Sequence, residues 1–273
     1  MFSLNLQGRL LVVQKPLIMG ILNVTPDSFF EGSRVLETER MLAKARQMID
    51  EGVDILDIGG QSTRPGSERL SVTDEMSRVI PAIEAITKQF PDIIISVDTF
   101  YAEVAAAAVN AGARMINDVS ASTLDSKMLN TVAGLNVPYV FMHMRGNPQT
   151  MASLNTYDNV VEEVWDFLAL KLYECRKAGI HDVIADPGFG FAKNIDQNFQ
   201  LLSKFEYLDW LEVPVLAGLS RKSTIYKTLG ITAEEALNGT SICNTIALQK
   251  KAAILRVHDV KEAREIIRLL EKV

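Results

Sequence analysis

IIISVDTFYAEVAAAAVNAGARMINDVS, residues 93–120, contains one full structural period of this chain. An apolar, β-rich run closes on Asp98, and a helical pattern follows. Gly112 ends that pattern, as a left-handed helix cap should, and a second apolar run closes on Asn117 and Asp118. Strands buried on both faces of a parallel sheet read as such near-continuous apolar runs. The same run recurs as LIMGILN (17–23), VDILDIG (53–59), PYVFMHM (138–144), DVIADPG (182–188), VPVLAGL (213–219) and AILRVHD (253–259). Helical patterns lie between them. In residues 159–179, Val161, Val164, Trp165, Leu168, Leu172 and Cys175 keep helical spacing up to Gly179. Eight strand–helix units predict an α/β fold, a (β/α)8 TIM barrel, with an open doubly wound sheet as the alternative the rhythm permits. Alternation in FSLNLQGRLLVV (2–13), with Gly8 at its turn, predicts an N-terminal β-hairpin. Pro81 predicts a kink or break between Thr73 and Phe90. Nothing resembling a linker divides the chain, so 1–273 is read as a single domain.

Of the 273 residues, 48% are hydrophobic and 23% charged, enough to bury a sizeable core. A net charge of -6 argues against a general nucleic-acid grip, although a few cations in a cleft would not show in that balance. Cys175 and Cys243 form no CxxC pair and read as buried hydrophobes in a reducing compartment. Without a leader pattern or an apolar run near ~18 residues, the expectation is a soluble, cytoplasmic protein.

The strand-like runs end in polar groups: Asn23, Asp57, Asp98, Asn117 with Asp118, His143 with Arg145, Asp186, and Arg256 with His258. One such Asp is commonly a helix cap. A whole set at the ends that converge on a barrel's mouth reads as a site. Asp98, Asn117 and Asp186 suit the edge of a flat heterocycle with adjacent N–H donors. Arg64, Lys222, Arg256 and His258 suit phosphate oxygens, and Lys222 with Ser223 opens a helix after the seventh strand. Arg221 reads equally well as a ligand or as a solvated surface group. GFGFAK (188–193) lacks the third glycine of a dinucleotide fingerprint, and His143, His181 and His258 lack metal-ligand spacing.

Taken in order, MGILNVTPDSF (19–29), DIGGQSTRPGS (57–67), SVDT (96–99), INDV (116–119), MHMRGNP (142–148), DPGFGF (186–191), SRKS (220–223) and RVHDV (256–260) closely resemble the dihydropteroate synthases, a pterin-binding TIM-barrel family. The resemblance spans about Met19 to Val260. It implies a transferase of folate biosynthesis, a stand-alone bacterial-type enzyme and sulfonamide target. Such an enzyme condenses 6-hydroxymethyl-7,8-dihydropterin diphosphate with 4-aminobenzoate to 7,8-dihydropteroate and diphosphate. It further implies Mg²⁺ as cofactor, met by Asn23, and a homodimer. By motif, Asp98, Asn117, Met142, Asp186 and Lys222 would hold the pterin. Asn23, Arg64, Arg256 and His258 would hold the diphosphate. Thr63, Pro65, Phe189, Lys222 and Ser223 would shape the aminobenzoate pocket.

Asp98, Lys222 and Arg64 are then the expected catalytic residues. The expected chemistry is a dissociative displacement: diphosphate departs once its charge is neutralised, and an already nucleophilic aniline nitrogen attacks the methylene carbon. Segments 23–34 and 60–70 are expected to close over the site as lids. Gln61 stands where the family often has Glu, Ala192 where it often has Gly, and Phe30 and Glu31 add unusual bulk. Related pterin barrels that transfer methyl groups from methyltetrahydrofolate would have no use for STRPGS, SRKS or an Arg–His pair. A non-catalytic paralogue should have lost Asn23, Lys222 or Arg256.

Overall fold

The computed structural model describes residues 1–24, 31–61, 69–147 and 149–273, with 31–36 and 152 described through their backbone alone. Strands β1 (Phe2–Leu6) and β2 (Arg9–Val13) pair antiparallel as the expected hairpin. The parallel strands follow: β3 (Leu17–Asn23), β4 (Ile55–Gly59), β5 (Ile94–Asp98), β6 (Met115–Asp118), β7 (Tyr139–Met142), β8 (Val183–Asp186), β9 (Leu216–Ala217) and β10 (Ile254–Val257). Their spatial order is β8-β7-β6-β5-β4-β3-β10-β9. A parallel bridge between Ala185 and Val215, with Ala185 N–H donating to Pro214 O at 3.0 Å, brings β8 against the β9 segment. The ring is therefore a nearly closed barrel, and the open doubly wound alternative is excluded.

Helices follow the strands: α1 (Glu31–Asp50), α2 (Val72–Gln89), α3 (Ala102–Ala111), α4 (Met128–Leu135), α5 (Val160–Lys177), α6 (Ile195–Ser203), α7 (Ser223–Leu229), α8 (Leu237–Gln249) and α9 (Val260–Leu270). Gly52, Gly112 and Gly179 take φ of 93°, 129° and 86° just past α1, α3 and α5, the left-handed stop read from sequence. The expected break at Pro81 is absent, for α2 runs through it. Pro81 lies on the exposed face, where water can satisfy the carbonyl that loses its partner. Among the described residues no helix is long and apolar enough to cross a membrane.

Strand register stacks the barrel interior in layers. Met19, Ile55, Met115, Val140, Ile184, Leu216 and Ile254 form one buried cluster with Leu4 of the hairpin, with Phe2 and Leu11 packed against it. The hairpin thus plugs the end of the barrel where the strands begin. Asn5 N–H fixes it there, donating to Asp182 Oδ1 at 3.0 Å. Burying a leucine such as Leu4 contributes about 2 kcal/mol. Side chains of opposite parity, such as Ile58, Val97, Tyr139 and Phe141, pack outward under the helices. Cys175 and Cys243 are free thiols, both buried.

Candidate active site

Two residues beyond the apolar plug, the inward parity changes character. Asp57, Ser96, Asn117, Met142, Asp186 and Arg256 occupy the next positions along β4, β5, β6, β7, β8 and β10, with Asn23 and Asp98 at the ends of β3 and β5. Arg256 Nε donates to Asp57 Oδ2 at 2.6 Å and its Nη2 donates to Asp98 Oδ2 at 2.6 Å. Asn117 Nδ2 donates to the same Asp57 oxygen at 3.0 Å. Gly59 pairs in register with both Asn23 and Asp98. A Cβ built on it would lie 3.6 Å from Asn23 Oδ1 and 3.5 Å from Asp98 Cβ, so three strand tops adjoin there.

Burial dominates the electrostatics. It pushes the Asp98 carboxyl up to about 7; Arg256 pulls it down, while Asp57 adds to the rise. Burial also raises Asp186, against the pull of Lys222 and a 2.7 Å hydrogen bond from Gly188 N–H. Lys222 falls to about 8, again through burial, with Asp186 opposing. Arg256 rises because Asp57 and Asp98 outweigh its own desolvation. Carboxyls held up this way gain most from a partner that brings N–H donors into a dry site.

Lys222 lies in a slot made by glycines. A Cβ on Gly190 would come 3.2 Å from Lys222 Cδ, and one on Gly218 would come 3.7 Å from Nζ. Its ammonium donates to Phe189 O and sits 5.0 Å from the Phe191 ring centroid. The expected placement of Phe189 is thereby corrected. Its ring is 1% exposed and stacked on Phe205 at 6.0 Å, so it shows Lys222 its carbonyl, and Phe191 supplies the aromatic face. Ser223 opens α7 beside Lys222. Met142 is buried with Phe100, Val119, Met144, Met151 and Ala192 at the mouth end.

His258 is exposed at the rim, with Nδ1 3.1 Å from Ser220 Oγ. Arg221 is tied into the chain itself rather than left to solvent. It makes a bidentate pair with Asp259 at 2.8 and 2.9 Å and donates to Ala233 O and Glu234 O, tying the β9 and β10 loops together. His143 and Arg145 also leave the polar set. His143 is 2% exposed and faces Lys193 and Phe167, while Arg145 pairs with Glu163. His181 is exposed at the opposite end, just before β8, as read from sequence.

Thr63, Arg64 and Pro65 lie outside the described residues, as do the tips of both expected lids and Phe30. The roots are described. Val24 N–H donates to Gly59 O at 2.8 Å, joining the base of one segment to the base of the other. Gln61 Nε2 donates to buried Glu75 Oε2 at 2.6 Å, and Gln61 Oε1 accepts from Leu70 N–H at 3.4 Å. A Glu at position 61 would set a second carboxylate against Glu75, whereas the amide supplies a donor. Arg69 Nε and Leu70 O both bind the Tyr101 hydroxyl, at 2.8 and 2.6 Å.

The sequence placed Asp57 in the polar set without a role of its own, and it singled out none of Glu75, Phe191 or Lys193. Lys193 is 8% exposed and donates to Gly188 O at 2.9 Å and Phe191 O at 3.1 Å, with His143 Nδ1 at 2.9 Å. A cleft of about 410 Å³ at the hairpin end touches Lys250 and Lys251, but these are paired with Glu206 and Asp209. Its charges do not converge, so the site is the mouth.

The model of the family "Pterin binding enzyme" matches residues 19–258. The dihydropteroate synthase of Escherichia coli K12 is 42% identical over 267 residues, covering 97% of this chain and 94% of its own. A solved structure of the Xanthomonas albilineans dihydropteroate synthase with 4-aminobenzoic acid superposes with a TM-score of 0.91 at 43% identity, covering 99% and 97%. The same enzyme in complex with 7,8-dihydropteroate gives 0.87 at 41% identity, covering 99% and 98%. From residues 19 to 258 this chain belongs to the pterin-binding enzymes, in the dihydropteroate synthase branch.

Proposed function

We propose that this chain condenses 6-hydroxymethyl-7,8-dihydropterin diphosphate with 4-aminobenzoate, the dihydropteroate synthase reaction of folate biosynthesis. The observation that carries this reading is the buried floor on which Asp98, Asn117 and Asp186 meet Arg256 and Lys222. The pterin edge offers adjacent N–H donors. Asp98 and Asp186, raised by burial, are the groups that gain from receiving them. Met142 supplies an apolar wall for the ring. Lys222, Ser223 and the Phe191 face line the approach for aminobenzoate, and motif resemblance assigns Thr63 and Pro65 to the same pocket. His258 and Asn23 stand at the rim, above Arg256, where the diphosphate would rest with Arg64.

The donor set fits Mg²⁺ arriving with the diphosphate. Among the described residues no three acidic, His or Cys side chains gather to hold an ion, while Asn23 offers one neutral oxygen, and Mg²⁺ commonly binds through substrate phosphates plus one or two protein groups. When bound it neutralises charge on the leaving diphosphate.

No general base is needed, since a neutral aniline nitrogen is already nucleophilic. The bond from the methylene carbon to the diphosphate oxygen breaks first. Positive charge spreads from that carbon into the pterin, stabilised by the ionised Asp98. The C–N bond then forms and the anilinium proton leaves to solvent. Purified chain with pterin diphosphate, labelled 4-aminobenzoate and Mg²⁺ should yield dihydropteroate, and Asp186→Ala or Lys222→Ala should abolish product in a folded barrel. A folded wild type that gives none overturns the assignment. Oxygen-18 in the bridging position should scramble without aminobenzoate, and retention in an active enzyme would sink the dissociative order.

A homodimer is part of the same reading. Leu229 at the end of α7 and Ile242 on α8 are 56% and 53% exposed, an apolar area that a second copy would cover. Sedimentation at micromolar concentration should give twice the 30.2 kDa chain mass. The reading also places the protein in the cytoplasm, in one domain, with sulfonamides competing for the aminobenzoate position.

A further inference from the structure

Asp57 has no solvent exposure, and one of its oxygens serves two neighbours. Oδ2 accepts from Asn117 Nδ2 at 3.0 Å and from Arg256 Nε at 2.6 Å, while Oδ1 has no hydrogen-bond partner among the described residues. An ionised carboxylate only accepts, so it dictates which end of an amide can face it. Asn117 must turn Nδ2 toward Asp57 and keep Oδ1 for the cavity. Arg256 is likewise held by its inner edge, which leaves Nη2 in line for Asp98 at 2.6 Å. The Asn117 orientation is not imposed by packing alone, because an amide has the same shape with its ends exchanged.

We propose that Asp57 is a positioning residue that sets the polarity of the floor, fixing Asn117 as an acceptor toward the ring and holding Arg256 in the barrel interior. This rests on the reading that a pterin lies on that floor. Asp57 itself lies behind Asn117 and Arg256 and needs no contact with the ligand. Its isostere Asp57→Asn keeps the volume but loses the charge that holds Arg256, and an amide turned with its NH₂ toward the shared position would release Asn117 and Arg256 together. The double variant Asp57→Asn, Asn117→Asp restores a donor–acceptor pair with the roles exchanged. It also keeps one negative charge in the floor and leaves an acceptor for the ring.

Calorimetric binding of 6-hydroxymethylpterin, which carries no phosphate, isolates the floor. Asp57→Asn should raise Kd at least 10-fold, and the double variant should recover at least half of the lost binding free energy. A purely structural role for Asp57 would lower the unfolding temperature of both variants and give no recovery by exchange. Should Asp57→Asn not fold, the wild type still decides, because the Asn117 side-chain NH₂ should exchange slowly with solvent in NMR. A folded Asp57→Asn protein within twofold of wild-type Kd, or a fast-exchanging Asn117 amide, overturns the proposal. Failure of the wild type to bind hydroxymethylpterin would instead count against the functional reading beneath it.

Discussion

Replacing Glu75 by Gln should stabilise this protein at alkaline pH and leave it unchanged at mildly acid pH. Glu75 lies in the first turns of α2 with no exposure, and one of its oxygens accepts from Gln61 Nε2 at 2.6 Å. Burial pushes its carboxyl from 4.5 up to about 7, and the Thr99 hydroxyl, Arg69 and Arg78 pull it only partly back. Such a displacement costs the ionised form about 3 kcal/mol. Below pH 4.5 the group is protonated in folded and unfolded chains alike. Between 4.5 and about 7 the unfolded chain gives up its proton while the folded one keeps it, so stability falls as pH rises through that window and stays low above it. The amide of the Glu75→Gln variant never ionises and escapes the loss, yet can still pair with Gln61. The advantage of the variant should grow from nothing near pH 4.5 to about 3 kcal/mol at pH 8, or about 6 °C in unfolding temperature for a chain of this size. Thermal unfolding of both proteins at pH 5 and pH 8 measures it. Equal gaps at the two pH values, or a gap that favours the wild type at pH 8, would refute the reasoning.

Gly188→Ala should be among the most damaging single changes at the mouth. Its Cβ would stand 2.0 Å from His143 O at a φ of 70°, and a calorimetric loss under about 1 kcal/mol would contradict that geometry. Lys193→Met takes the side-chain donor from the Phe191 carbonyl and leaves the Gly188 carbonyl with only Phe191 N–H, which should cost about 2 kcal/mol and raise KM for the pterin substrate more than it lowers kcat. Aminobenzoate binding should weaken as pH rises through about 8, where burial has placed the Lys222 ammonium, and titration calorimetry on Lys222→Met should show that limb gone. Ala192→Gly relieves a φ of 49° but gives up a methyl buried beside Met142, so chemical denaturation should show a change within about 0.5 kcal/mol.

The barrel was legible because strands buried on both faces must be apolar along their whole length, and seven of the eight runs became strands of four residues or more. VPVLAGL shrank to the two residues Leu216–Ala217, since Pro214 has no N–H for a ladder and Gly218 has no side chain to pack. The floor was partly legible through parity. Asp98, Asn117, Asp186 and Arg256 share the inward parity of the plug, as side-chain alternation requires. The same count, carried one residue past β7, turns His143 outward into the helix layer once Met142 points in. Parity could not show that Asp57 would orient Asn117 from 60 residues away, or that Gln61 would meet Glu75 across 14. Nor could it separate Phe189 from Phe191, which share a parity in a turn where strand alternation no longer applies.

What the layered barrel gives the proposed reaction is a reserve of charge that need not be assembled when substrate arrives. Asp57, Asp98 and Asp186 stand against Arg256 and Lys222 in one desolvated layer, each cation already beside an acid. With no ligand, hydrogen bonds and nearby charge are divided among these groups, and burial keeps Asp98 near 7 instead of fully ionised. A pterin edge that donates to Asp98 and Asp186 stabilises their ionised forms. It also competes with Arg256 for the Asp98 oxygen, so the guanidinium's outer edge turns toward whatever anion stands above it. On the proposed reading, ring binding and diphosphate neutralisation would be linked through a single oxygen, Asp98 Oδ2, with Asp57 anchoring the inner edge so that Arg256 would pivot and not leave.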